Sequence, residues 1–379
     1  MNFLGGKGQV RHFPKGVVGI ISPWNLPFGL TVAPLTSALA AGNRALLKPS
    51  EFVPETAALF AEVVPKYFSK DEVAVVTGGA EISQKFAELP FDHLLFTGST
   101  RVGAQIMQAA SKNLVPVTLE LGGKSPVIIG RSANLELAGT RLTFSKFLNG
   151  GQLCLSPDYV LVPRELEEQL VARVIHEAQS MYPNVTENED YAGVINERHF
   201  ARLQNYIDDA VAKGAKLTIV GADQTRASED NRRMPLHILQ NVNEDMLVMH
   251  EEIFGPILPI MSYGDITEVP DQVEPRRNPL AMYYFGKDKS EQEYLLSHVP
   301  SGGVCINDIT LHYVQEDLPF GGFGASGMGA YHGPEGFRSL SHARAIYSQT
   351  MIDVLPIVGA RPPFGDKFRK NISKVLGAI

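Results

Sequence analysis

The chain has 379 residues, two cysteines and a formal net charge of −7. That length holds two domains and a large core, and the negative balance argues against a protein that grips nucleic acid through a basic surface. Two thiols, Cys154 and Cys305, cannot build a disulfide framework or a cysteine zinc cage, and the ten histidines show no paired ligand spacing. No metal is expected, and a reducing cytoplasm is the simplest setting.

The first residues, Met1 to Val10, lack an apolar signal core. From Gly16 to Gly42 no charged residue occurs, a length that could cross a bilayer. Pro23, Pro27 and Pro34 interrupt it, and internal proline disfavours a spanning helix. A buried strand at Val17–Ile21, a turn and a helix from Leu30 to Ala41 are expected instead. Ala45–Lys48 reads as the next strand, Pro54 to Tyr67 as a helix, Val73–Val76 and His93–Phe96 as strands, and Val102 to Ser111 as a helix. This alternation predicts a parallel sheet with ligands at the strand C-termini. A second α/β unit follows Glu120, with strands at Val127–Ile129 and Tyr159–Val162 and helices at Leu135–Leu148 and Leu166–Gln179. Ala222 to Arg233 reads as a surface loop. The domain boundary is expected near Gly122.

Cys154 stands in Asn149-Gly150-Gly151-Gln152-Leu153-Cys154. Glycines beside a thiol allow close approach of a substrate and unusual backbone angles; a buried structural cysteine reads equally well at this point. Cys305 alternates with apolar residues and reads as core. Asn25, held between Pro23-Trp24 and Pro27, suits either a rigid oxyanion donor or a helix cap. Glu120, before Gly122-Gly123, suits a general base or a salt-bridged carboxylate. Lys48-Pro49-Ser50-Glu51 could bond vicinal ribose hydroxyls, or Ser50 could cap the following helix. Gly98-Ser99 through Gly103 joins a strand to a helix and suits a pyrophosphate, although it is not the Gly-x-Gly-x-x-Gly fingerprint. Glu252 and Phe254 are expected on one side of a strand end by alternation.

Taken in order, Pro23-Trp24-Asn25, Lys48-Pro49-Ser50-Glu51, Phe96-Thr97-Gly98-Ser99, Glu120-Leu121-Gly122-Gly123-Lys124, the Cys154 segment, Glu252-Ile253-Phe254-Gly255-Pro256 and Pro319-Phe320-Gly321-Gly322 closely resemble the aldehyde dehydrogenase superfamily. The likeness runs from about Val10 to about His342. Pro157-Asp158-Tyr159, Ile306-Asn307-Asp308 with His312, and Gly327-Met328-Gly329-Ala330-Tyr331-His332-Gly333 are similar to its class 3 branch and, within it, to coniferyl aldehyde dehydrogenases. The resemblance implies an α/β fold with a Rossmann-type cofactor domain over residues 1–121, a catalytic domain over 122–325 and a bridging or oligomerisation segment over 326–379. It implies a cysteine nucleophile at Cys154, an oxyanion hole from Asn25 and the Cys154 amide, and Glu120 as the base. Trp24, Lys48, Ser50, Glu51, Gly98, Ser99, Gly103, Leu121, Gly122, Glu252 and Phe254 are then the cofactor contacts, for NAD or else NADP. The implied reaction is oxidation of an aldehyde, coniferyl-type or medium-chain aliphatic, by a homodimer. Family members carry roughly a hundred further residues before Val10, a large share of a domain. Their lack is expected to expose apolar surface, so two other readings stay open: a thiol esterase using the same Cys154, and a non-enzymatic paralogue acting by association.

Overall fold

The structure, a computed structural model, describes residues 6–221, 231–276 and 278–377, so residues 222–230 of the expected surface loop lie outside it. It divides into two units, Pro14–Leu340 and a smaller one of Met1–Phe13 with Ser341–Ile379. In the smaller unit β1 (Lys7–Pro14) pairs with β15 (Ser341–Ser348) as a two-stranded ribbon, and Arg344 lies over the Phe13 ring.

The uncharged run after Gly16 splits in the larger unit into β2 (Val17–Ile21) and α1 (Gly29–Ala40). Among the described residues no helix is long and apolar enough to cross a membrane. The chain continues through β3 (Arg44–Lys48), α2 (Pro54–Tyr67), β4 (Val73–Val75), α3 (Ala80–Ala87), β5 (His93–Thr97), α4 (Thr100–Ser111) and β6 (Val117–Glu120). α2 opens on Pro54 at its first position, where the missing N–H costs nothing. α3 is amphipathic and short, and the sequence reading passed over it.

These strands form a six-stranded sheet in the order β14-β6-β5-β2-β3-β4, parallel except for β14 (Gly327–Met328), which returns to pair antiparallel with β6. The order reverses between β2 and β5, so a crevice opens beyond their C-terminal ends, where Asn25 and Ser99 lie.

The chain then enters a second sheet: β7 (Pro126–Ile129), α5 (Leu135–Phe147), β8 (Tyr159–Pro163), α6 (Glu167–Met181), α7 (Glu197–Ala212), β9 (Lys216–Val220), β10 (Leu236–Gln240), β11 (Ile257–Tyr263), β12 (Ala281–Phe285) and β13 (Gly303–Ile306). Its order is β13-β12-β7-β8-β11-β10-β9, parallel except for β9. β7, β8 and β12 are buried along their whole length, which is why they read as continuous apolar runs. Only Leu121–Ser125 separates β6 from β7. The C-terminal edge of the first sheet therefore meets the N-terminal edge of the second.

One hydrophobic cluster runs through both sheets, from Val18, Ile20 and Leu47 to Val127, Val160 and Tyr283. Leu161 is fully buried in the centre of the second sheet. Leu161→Ala is expected to cost about 2–5 kcal/mol through lost transfer energy and a residual cavity. Urea unfolding followed by circular dichroism measures it, and an unchanged midpoint would contradict the central placement.

Candidate active site

Three consecutive residues before the cysteine are left-handed: Asn149 (φ 51°, ψ 35°), Gly150 (φ 61°, ψ 28°) and Gly151 (φ 73°). Only glycine, and asparagine among the others, visits this region readily. A Cβ on Gly151 would stand 2.6 Å from the Gly255 carbonyl oxygen. The turn is pinned on all sides. Asn149 Nδ2 donates to Asn25 O (2.9 Å), while Gln152 donates to Asn149 O (3.0 Å) and Gly193 O (3.1 Å) and accepts from the Ile195 amide (2.9 Å). Beyond the cysteine, Tyr283 OH donates to Leu155 O (2.8 Å) and the buried Lys146 donates to Pro157 O (2.7 Å).

Asn25 joins this turn directly. Its Nδ2 donates to Gln152 O at 3.0 Å, two residues before Cys154, and the contact is buried. It caps no helix: the residue before α1 is Phe28, which makes no side-chain cap. Trp24 packs edge-on against Phe254 (5.4 Å between ring centroids) and lies 5.6 Å from the His199 ring.

Glu120 ends β6, opposite Gly327 of β14, and its carbonyl accepts from the Gly98 amide (3.0 Å). Its carboxylate is buried, and neither oxygen has a hydrogen-bond partner. Burial raises its pKa well above the usual carboxylate range. A Cβ on Gly122 would overlap the Glu252 carboxylate, so a side chain there would push that carboxylate aside. Glu252 is half-buried, with its Oε1 shielded from solvent. Burial, then the negative charge of Asp158, pushes its pKa up to about 8, opposed by the Gly123 amide and by Lys124 and Arg202.

Both carboxylates act on Cys154. The residue keeps partial exposure, but burial of its sulfur, then the charges of Glu252 and Glu120, push the thiol up to about 12; the Cys154 and Leu155 amides oppose this. The two carboxylates are thus close enough to the sulfur to act on it, and the Asn25 amide holds the turn that carries it.

The remaining predicted residues lie along the crevice of the first sheet. Lys48 is fully buried at the end of β3; its Nζ donates to Pro49 O (2.7 Å) and stands 3.8 Å from Glu51, whose carboxylate reaches solvent. Ser50 does not cap α2. Its hydroxyl accepts from the Phe52 amide (3.2 Å), which forms a local turn, and the residue before α2 is Val53. Ser99 caps α4 by accepting from the Val102 amide (3.4 Å), and the first turn of α4 carries no acidic residue. Its N-terminus is therefore open to an anion. Gly98 packs on the Phe96 ring, and Gly103 packs on Leu121.

One expectation fails. Glu252 and Phe254 are not on an alternating strand end. Residues 251–256 are irregular, β11 starts only at Ile257, and Phe254 is left-handed (φ 53°). A kink, not the pleat, directs Glu252 toward Gly122 and Phe254 toward Trp24. Sequence reasoning also missed His199 and Arg202 on α7, which reach this segment from far along the chain. No residue pattern near them pointed there.

The unpartnered Glu252 Oε1, the Lys48–Glu51 pair and the open helix end fit a dinucleotide: two polar groups for ribose hydroxyls and a positive end for phosphates. Among the described residues no group of three or more His, Cys, Asp or Glu could hold a metal ion.

Comparison with known proteins gives one answer. The model of the "Aldehyde dehydrogenase family" matches residues 4–346. A "Probable coniferyl aldehyde dehydrogenase" of Caulobacter vibrioides is 47% identical over 374 residues, 98% of this chain and 77% of that protein. "Aldehyde dehydrogenase family 3 member A2" of Mus musculus is 43% identical over 339 residues, 89% of this chain and 68% of that protein. Among solved structures, the substrate-bound state of Staphylococcus aureus AldH superposes with a TM-score of 0.91 at 37% identity, covering 98% of this chain and 80% of that one. A betaine aldehyde dehydrogenase of the same organism, a point mutant in complex with NAD+, gives a TM-score of 0.84 at 26% identity, covering 93% and 73%.

The raised thiol pKa has a direct consequence. In a Cys305→Ser background, iodoacetamide should alkylate Cys154 of the free chain slowly at pH 7, with a rate rising about tenfold per pH unit as thiolate forms. Glu252→Gln removes a charge that disfavours the thiolate and should speed alkylation at pH 9. A rate already at its plateau at pH 7 would contradict this electrostatic account.

Proposed function

As a member of the aldehyde dehydrogenase family, the chain oxidises an aldehyde to its carboxylic acid with NAD(P)+, and we propose that Cys154 is the nucleophile, Asn25 the oxyanion donor and Glu120 the base. The observation that supports this reading is that the Glu252 and Glu120 charges act on the Cys154 sulfur while the Asn25 amide bonds the turn two residues before it.

Cys154 adds through sulfur to the aldehyde carbon once its proton has gone. That proton passes to solvent. Glu120 suits the later proton transfer from water: a carboxylate held in an apolar place, with no competing hydrogen bond, takes up a proton more readily than an exposed one. The carbonyl oxygen becomes an oxyanion, to which Asn25 Nδ2 and the Cys154 amide offer hydrogen bonds. A bound NAD(P)+ would supply the hydride acceptor through which this adduct becomes a thioester. The Glu120 carboxylate then draws a proton from water, the water oxygen attacks the acyl carbon, the C–S bond breaks to release the acid, and the proton held by Glu120 passes to the departing sulfur and restores the thiol.

Lys48 and Glu51 would hold the adenosine ribose, with Ser50 shaping that turn. The Gly98–Gly103 turn, capped by Ser99, would hold the pyrophosphate. Glu252 and Phe254, beside Trp24, Leu121 and Gly122, would hold the nicotinamide end. Glu51 suits two free hydroxyls, so NAD+ is the preferred form and NADP+ the alternative. The substrate is a coniferyl-type aromatic or medium-chain aliphatic aldehyde, and the name of the Caulobacter relative supports the first. On this reading residues 1–121 bind the cofactor, 122–325 carry the chemistry and 326–379 join subunits. A homodimer through the β1–β15 ribbon in a reducing cytoplasm completes it; Cys154 and Cys305 are both free thiols.

Cys154→Ala should abolish NADH formation with any aldehyde. Glu120→Gln should keep a burst of about one NADH per site and then turn over about 10²–10⁴-fold more slowly. Stopped-flow absorbance resolves both phases, and a Glu120→Gln enzyme with no burst and a uniformly slow rate would remove Glu120 from thioester hydrolysis. Asn25→Ala should lower kcat by about 10²–10³-fold, the size of one lost oxyanion donor. Steady-state kinetics measures that loss, and an unchanged kcat would strip Asn25 of its role.

A further inference from the structure

Lys124 and Asp158 form a buried ion pair outside the roles assigned above, with both side chains 4% exposed. Lys124 has three N–H donors and spends each of them: on Asp158, on Val248 O (2.8 Å) and on Glu251 O (3.0 Å). Asp158 uses its second oxygen, Oδ1, to accept the Ile253 amide (2.8 Å). The pair thus grips the residue before Glu252 and the residue after it.

The rest of that segment is held in a related way. Arg202 donates to Glu252 O (3.1 Å) and Ile253 O (2.8 Å), and Tyr206 OH donates to the Glu251 carboxylate (2.7 Å). The segment lies outside any helix or strand, so its backbone groups need outside partners, and charged side chains supply them. Lys124 is also one residue past Gly123, whose amide faces the Glu252 carboxylate. A buried ion pair is a poor source of net stability. Its geometry here serves direction: it fixes where one partly unpartnered carboxylate points.

We propose that Lys124 and Asp158 are positioning residues that clamp the Glu251–Ile253 backbone and so aim the Glu252 carboxylate at the bound dinucleotide. This rests on the reading of Glu252 as a cofactor ligand. The sole tryptophan of the chain, Trp24, packs against Phe254, two residues past Glu252, and so reports on this segment.

The test uses the double variant Lys124→Met/Asp158→Asn, which removes both charges together and keeps an acceptor for the Ile253 amide. NAD+ affinity is read by titrating Trp24 fluorescence, folding by the thermal midpoint, and Cys154 itself by cofactor-free cleavage of 4-nitrophenyl acetate. Glu252→Gln is measured in parallel. The clamp predicts NAD+ binding weakened about tenfold or more, as displaced groups cost, with ester cleavage within about threefold of the parent. Unchanged NAD+ affinity in the double variant, while Glu252→Gln weakens it, overturns the clamp and leaves the ligand role standing. Unchanged affinity in Glu252→Gln overturns the ligand role and the clamp with it. Should the double variant fail to fold, Asp158→Asn and Asp158→Ala decide: asparagine keeps a partner for the Ile253 amide and should bind NAD+ more tightly than alanine, and equal losses overturn the proposal.

Discussion

The link Leu121–Ser125 governs the architecture. It leaves the first sheet at the C-terminal end of β6 and enters the second at the N-terminal end of β7. Two opposite strand edges are thereby brought together. The first offers open loops and a helix N-terminus, which suit an anionic dinucleotide. The second offers the turns before β8 and β11, which carry Cys154 and Glu252. The Glu252 carboxylate lies directly on Gly122, and the Gly123 amide faces that same carboxylate. Steric fit and chain direction therefore share a single short segment.

The site's electrostatics follow from its dryness. Glu120, Glu252 and Cys154 are each shifted first by burial; Asp158 then raises Glu252, and Glu252 and Glu120 raise Cys154. A low-dielectric cleft disfavours every negative charge in it, so proton transfer among these groups becomes easy while stable ionisation becomes hard. A cation entering the cleft would shift all of them downward at once.

Much of this was legible in the sequence, and the rest was hidden for identifiable reasons. Val17–Ile21 and Pro54–Tyr67 announced themselves through apolar runs and a proline at a helix start. The triple Cys154, Glu120 and Asn25 stood out because glycines and prolines around them signal constrained backbone. The candidate residues Asn25, Lys48 and Ser99 of the first sheet follow strand C-termini, whereas Cys154 and Glu252 of the second precede their strands. The alternation expected at Glu252 and Phe254 failed because a left-handed residue replaced the pleat. Lys124 and Asp158 looked ordinary since their partners lie up to 127 residues away.

Glu120 carries a last consequence. Two buried oxygens without partners are a structural debt that the surrounding core must cover. The protein is locally frustrated where it is chemically useful, and an apolar side chain of similar size would leave a sturdier but inert molecule. Evolution toward greater heat tolerance in this chain would therefore work around that carboxylate, through its distant packing, rather than at it.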